Sequence, residues 1–164
     1  QSAMSFFRTT MAPSGDGFDV VWKDDLPPNQ LFRLEPRAGE GELQPQLQLN
    51  GSNARIAAVW NATGTAGRKA RIRDFLNALV SADVMTDLAL LADDVDESQS
   101  SQHDVEFKQK VQAALRSRFK IPMNLLTGIA NDDEARRELH GLIQASPPVR
   151  MVERIAKLVE EVDK

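Results

Sequence analysis

The stretch Leu43-Gln44-Pro45-Gln46-Leu47-Gln48-Leu49-Asn50-Gly51-Ser52 decides the fold, because the period of the hydrophobic pattern changes within it. Leu43, Leu47 and Leu49 fall on one side of an extended chain and the three glutamines on the other, the two-residue period of a half-buried strand. Pro45 has no amide to give to a ladder, which places this strand at a sheet edge or turns the proline amide to solvent. Upstream, Phe18, Val20 and Trp22 alternate in the same way, as do Phe32 and Leu34 against Arg33 and Glu35. Asp24 to Asn29 and Pro36 to Glu42 supply turn formers between these runs. The expectation is a small antiparallel meander over residues 18–50.

Beyond Ser52, a candidate helix cap, apolar residues recur at three- and four-residue steps. Ile56, Val59 and Trp60 form a short helix that Gly64-Thr65-Ala66-Gly67 interrupts. Ile72, Phe75, Leu76, Leu79 and Val80 continue into Val84, Met85, Leu88, Leu90 and Leu91, as one helix or with a break at Ser81-Ala82-Asp83. Residues 93–103 carry little to bury and read as a mobile loop. Asp104 then caps a helix through Phe107, Val111, Leu115 and Phe119 that ends before Ile121-Pro122. Three shorter helices follow: Met123 to Ala130, one opened by Asp132 or Asp133, and one opened by Ser146-Pro147-Pro148. The fold class is α+β and mostly helical, with an N-terminal antiparallel β-meander packed on helices and a C-terminal helical subdomain. The domain reading has three parts: 1–17, a tag remnant (Gln1-Ser2-Ala3 before Met4) and flexible segment; 18–119, an α+β domain; and 120–164, a helical subdomain.

The chain has 164 residues, 41% hydrophobic and 27% charged, and a net charge of −4, the balance of an ordinary globular protein. That charge argues against a surface built wholly for nucleic acid. No apolar run in the sequence approaches the roughly 20 residues that span a bilayer, and residues 5–11 are too short and polar for a signal core. The expected location is cytoplasmic, with no membrane partner.

With no cysteine and two histidines, thiol chemistry and the common zinc sites have no ligands to draw on. Gly64-Thr65-Ala66-Gly67-Arg68-Lys69-Ala70 departs from a phosphate-binding P-loop, since Arg68 follows the second glycine and Ala70 stands in place of a hydroxyl. Asp93, Asp94, Asp96 and Glu97 lack the alternation, central glycine and final glutamate of a calcium hand. A hydrolase using Asp19, Asp24, Asp25 and Glu35 around a divalent cation is a third-ranked reading. The expected catalytic, cofactor and metal residues are none.

Two features remain. Arg68, Lys69, Arg71 and Arg73 crowd four cations into six residues at a helix start, the unfavourable end of the dipole for positive charge. The cluster is solvated or internally paired, or it meets an acidic protein partner or nucleic acid. In the last helix Val149, Val152, Ile155, Ala156, Val159 and Val162 form one stripe. It packs on its own domain or, carried onto another surface, makes a partner-docking helix through Val149, Val152, Ile155 and Val159.

The strand pair ending in Leu47-Gln48-Leu49-Asn50 and leading into helices resembles the segment after the ATPase core in prokaryotic GHKL-type ATPases of the MORC and MutL kind. The likeness spans residues 18–119 and departs from that pattern at Asn53, where the segment usually carries a histidine. It implies an assembly role in a DNA-processing or defence system, and it transfers no catalytic residue. The leading expectation is a non-enzymatic adaptor or assembly module, prokaryotic or viral, that binds a protein or a second copy through helical surfaces. Its rival is a nucleic-acid-binding accessory protein that uses the basic cluster.

Overall fold

The computed structural model describes residues 2–12, 18–37 and 41–164. Residues 13–17 of the expected flexible segment and 38–40 of the expected turn lie outside the described residues. The helices are α1 (Ala3–Met11), α2 (Ala54–Trp60), α3 (Arg68–Asp93), α4 (Gln102–Ser117), α5 (Asp133–Ala145) and α6 (Met151–Val162). The strands are β1 (Asp19–Lys23), β2 (Phe32–Glu35) and β3 (Gln46–Asn50). The protein is α+β and mostly helical.

The sheet is mixed rather than a meander. β3 lies at its centre, parallel to β1 and antiparallel to β2, with Val20 opposite Leu47 and Leu34 opposite Leu47 on the other side. The two-residue period placed every strand but did not order them. β3 takes the middle because Leu47 and Leu49 are fully buried, whereas β2 has no fully buried residue. Pro45 is compatible with that position because the paired register starts at Gln46, and the Pro45 carbonyl accepts from the Asp19 amide. On the glutamine face, Gln48 alone is enclosed. Gln48 accepts from Arg33 Nε and donates to Gln46 Oε1, each at 2.8 Å, so its amide is buried with partners. Asn50 closes the strand: Nδ2 donates to the carbonyls of Pro27 and Gln30, and Oδ1 accepts from the Ser52 amide and hydroxyl. Asn53, not Ser52, caps α2.

α3 runs unbroken through Ser81-Ala82-Asp83, and its buried positions, from Ala70 to Ala92, cover most of its circumference and leave the side of Asp83 and Asp87 open. By length and composition it would also suffice to cross a membrane, but most of it is buried inside the fold. It packs against α1, α2, α4, α5, α6 and β2.

The N-terminal segment is not loose from Ser2 to Ala12. Ser2 caps α1 by accepting from the Ser5 amide, while Ala3, Phe7 and Met11 are fully buried. Three apolar residues at four-residue spacing give α1 one face to bury, and Arg118 donates to the carbonyls of Thr9 and Thr10 at its C-terminal end. Phe7 meets Trp60 edge-on with ring centroids 5.9 Å apart, and Trp22 meets Trp60 at 5.8 Å. The indole N–H of buried Trp60 donates to Asn77 of α3 at 2.8 Å.

The expected mobile loop is shorter than 93–103 and well tied. Asp93 belongs to α3 and accepts from the amides of Gly128 and Ala130, Val95 is buried, and Lys108 donates to the Val95 carbonyl. Ser101 caps α4, and Asp104 lies within its first turn, where it accepts from the Leu43 amide and pairs with Arg37. Met123 to Ala130 is not a helix but part of two 3-10 turns, Met123–Leu125 and Ile129–Asn131, separated by Gly128 at φ 73°. Asp132 caps α5. Residues 120–164 share the core of the rest: Ile121, Leu126, Ile129, Leu139, Ile143 and Val149 belong to the same buried cluster as Phe7, Trp60 and Met85.

Phe7→Ala removes a fully buried ring from the junction of α1, β1 and α2, and is expected to cost about 3–5 kcal/mol. Urea unfolding checks it: the midpoint falls with little change in slope, whereas a residue of a loose segment would shift it hardly at all.

Candidate functional site

The four clustered cations have different fates. Arg68 and Lys69 are exposed on the first turn of α3. Arg71 is half-buried, with Nη1 3.9 Å from Asp74 Oδ2. Arg73 is buried and fully engaged: Nη1 donates to the carbonyls of Ala62 and Gly64 at 2.8 and 2.7 Å, and Nε and Nη2 donate to Asp74 Oδ1. It ties the 61–67 turn to α3 and is not free to touch nucleic acid, a correction to its reading as a contact residue. The acid that answers it, Asp74, stands immediately after the cluster.

The apolar stripe of α6 divides in a second way. Val149 precedes the helix and is fully buried, so it belongs to the core rather than to a docking face. Within α6 the residues turned inward are Met151, Arg154, Leu158 and Glu161, while Val152, Ile155, Val159 and Val162 are exposed at 82%, 41%, 54% and 53%. Both sets follow a three-four-three spacing, offset by one residue. The helix is therefore turned by about 100° from the orientation in which the valine stripe would pack inward. Arg154 helps fix this rotation, with Nε on the Val149 carbonyl at 2.6 Å and Nη2 on the Pro148 carbonyl at 3.3 Å. Beside the exposed stripe a shallow groove of about 550 Å³ runs between α5 and α6, lined by Gly141, Ala145, Val152 and Ala156 among others.

The carboxylates of the hydrolase reading are spread out. Asp19 pairs with Arg8 at 3.6 Å and accepts from Gln46, Asp24 lies against Gly51, and Glu35 ends β2. Among the described residues no three metal-ligating side chains converge. His103 contacts the Leu43 carbonyl at 2.8 Å, and His140 Nε2 lies 2.8 Å from Asp83 Oδ1 at the α3–α5 contact. One turn along from Asp83, Asp87 has its pKa raised above the ordinary 3.8 by burial and then by the charge of Asp83, with His140 acting in the opposite sense.

No family model, curated protein or solved structure matches this chain.

Arg73→Met removes charge-assisted bonds to two backbone carbonyls and to Asp74, and is expected to cost about 1.5–3 kcal/mol. Arg68→Ala should stay within about 0.5 kcal/mol of wild type. Parallel urea titrations of the two variants separate the buried cation from the exposed one.

Asp87 adds a pH dependence. Its raised pKa means that the fold favours the protonated carboxyl, so this group subtracts stability as pH rises from 3.8 through the folded value. Asp87→Asn should therefore be more stable than wild type at pH 7 and lose that advantage at pH 3.5, as read from urea midpoints at the two pH values.

Proposed function

We propose that this chain is a non-enzymatic protein-interaction module that receives an amphipathic helix of a partner protein along the outer face of α6. The observation that carries the reading is the solvent-facing row Val152, Ile155, Val159 and Val162, an apolar seam with the spacing of a two-helix contact. An apolar row on a helix already held to the core by its other side is the usual form of a helix-docking surface. The neighbouring groove strengthens it, because Gly141, Ala145 and Ala156 are small enough to let a second backbone come close. Arg150, Glu153 and Lys157 lie along the same helix as a polar border.

Gly141 gives a sharp test. It lies inside α5, and a Cβ added there meets nothing within 4 Å. Gly141→Gln should fold at least as well as wild type, since glycine in a helix interior costs about 0.5–1 kcal/mol relative to residues with better propensity. The new side chain would project into the groove and block it. Photo-crosslinking from position 155 in extracts of the source organism, together with mass measurement in solution, reads the outcome. The expected result is one defined adduct from position 155, lost in Gly141→Gln and in Val152→Glu/Val159→Glu, and absent from a crosslinker at position 55 on α2. A self-adduct with a dimeric mass would identify a second copy as the partner. No adduct from position 155, with a monomer at high concentration, ends the reading.

A further inference from the structure

Cations from two distant parts of the chain meet in one small cleft between the first two turns of α3 and the first two turns of α6. The cleft holds about 110 Å³ and is lined by Arg71, Asp74, Arg150, Glu153, Arg154 and Lys157. Its polar groups are unequally committed. Asp74 accepts two bonds from Arg73 on Oδ1, and its other oxygen is 3.9 Å from Arg71. Arg154 spends Nε and Nη2 on carbonyls of the 148–149 turn. Among the described residues the side chains of Arg150 and Lys157 make no hydrogen bond or ion pair, and Arg71 has only its long contact. Glu153 is also without an ion pair among the described residues, and the lining holds more cations than carboxylates. Arg150, Arg154 and Lys157 recur at four and three residues and share one face of α6, opposite Arg71.

Arg154 is half-buried. Burial is the first cause of a lowered Arg154 pKa; Asp74 and Glu153 oppose it, while Arg150 and Arg73 push it further down. The cleft also lies at the positive ends of two helices, and neither Gly67 nor Arg150 supplies a side-chain cap to its helix. Small-molecule pockets typically run to about 300–1,000 Å³, so this cleft has room for one compact group and not for a nucleoside. Guanidinium and ammonium groups around a space of that size match the oxygens of a tetrahedral oxyanion.

We propose that the α3–α6 cleft binds a single phosphate group, contacted by Arg71, Arg150 and Lys157, with whatever bears the phosphate remaining outside. The basic cluster of the sequence then has a purpose that its first four residues do not show by themselves: Arg71 is half of a site that α6 completes. The site does not depend on the apolar row of α6, but Arg150 lines both the cleft and the α5–α6 groove; Val152→Glu/Val159→Glu leaves every cleft residue in place and separates the two readings.

The test uses the whole chain and inorganic phosphate, with chloride exchanged to hold ionic strength constant. The expected result is a saturable rise in melting temperature, with amide NMR shifts concentrated at the starts of α3 and α6. Arg150→Gln/Lys157→Gln should weaken the apparent affinity about tenfold or more, while Arg55→Gln/Arg116→Gln should leave it unchanged. Exposed Arg150 and Lys157 can be neutralised without disturbing a core contact, so the double variant should fold as wild type. Short duplex DNA, titrated at several salt concentrations, identifies the source. Tighter binding that falls steeply with salt and is lost in the same double variant assigns the phosphate to a nucleic-acid backbone. Binding no tighter than that of inorganic phosphate assigns it to a free or small-molecule phosphate. No saturable response to either probe, or equal responses in both double variants, overturns the proposal.

Discussion

A helix with buried residues over most of its circumference has to be enclosed by several elements, and that requirement on α3 organises the rest of the molecule. Its 26 residues bury Ala70, Ala78, Val80, Ala82, Val84, Met85, Leu88, Ala89 and Ala92 on a broad face, while Asp87 on the remaining side is exposed. No single partner layer can cover such a surface, so helices from both ends of the chain and one strand close around it. The polar groups that go in with α3 are mostly matched. Asn77 takes the indole N–H of Trp60, Thr86 donates to the Ala82 carbonyl, and Arg73 is neutralised by Asp74 and two carbonyls. The Ser81 hydroxyl is an exception, buried without a partner.

Trp60 shows how the sheet and the helices become one core. Its ring is met edge-on by Phe7 from α1 and Trp22 from β1, while its N–H is held by α3. A large aromatic side chain with one polar atom can fill a junction and fix its own orientation, because the hydrogen bond is directional and the packing is not. The sheet needs this anchorage, since three short strands are near the minimum that persists without packing against helices.

α6 has an inward and an outward side of different chemistry. Met151, Arg154 and Leu158 satisfy the interior, and the surplus apolar residues one position along face solvent. Its cationic residues form the border of a cleft completed by α3. One helix of 12 residues thus buries Met151 in the common core and presents an apolar row and a basic edge on different sides.

The sequence by itself determined the strand positions, the mostly helical class and the unusual character of residues 68–73, because these follow from local periodicity, propensity and charge; it narrowed the α5 cap to Asp132 or Asp133 and placed the α2 cap one residue early, at Ser52 instead of Asn53. It did not determine that β3 is central, since alternation specifies which face of a strand is buried but not which neighbours it pairs with. Nor did it reveal α1 as part of the core: Ala3, Phe7 and Met11 carry the helical spacing, but a single short stripe acquires meaning only when Trp60 is beside it. Only the tertiary structure decided which of two equivalent three-four-three rows on α6 would be buried, that Arg73 would be consumed internally, and that Arg71 would face Arg150 and Lys157 across a cleft. Contacts between residues as far apart in the chain as Arg71 and Arg150 depend on how elements rotate and pack, and that information is distributed over the whole core rather than written in either segment.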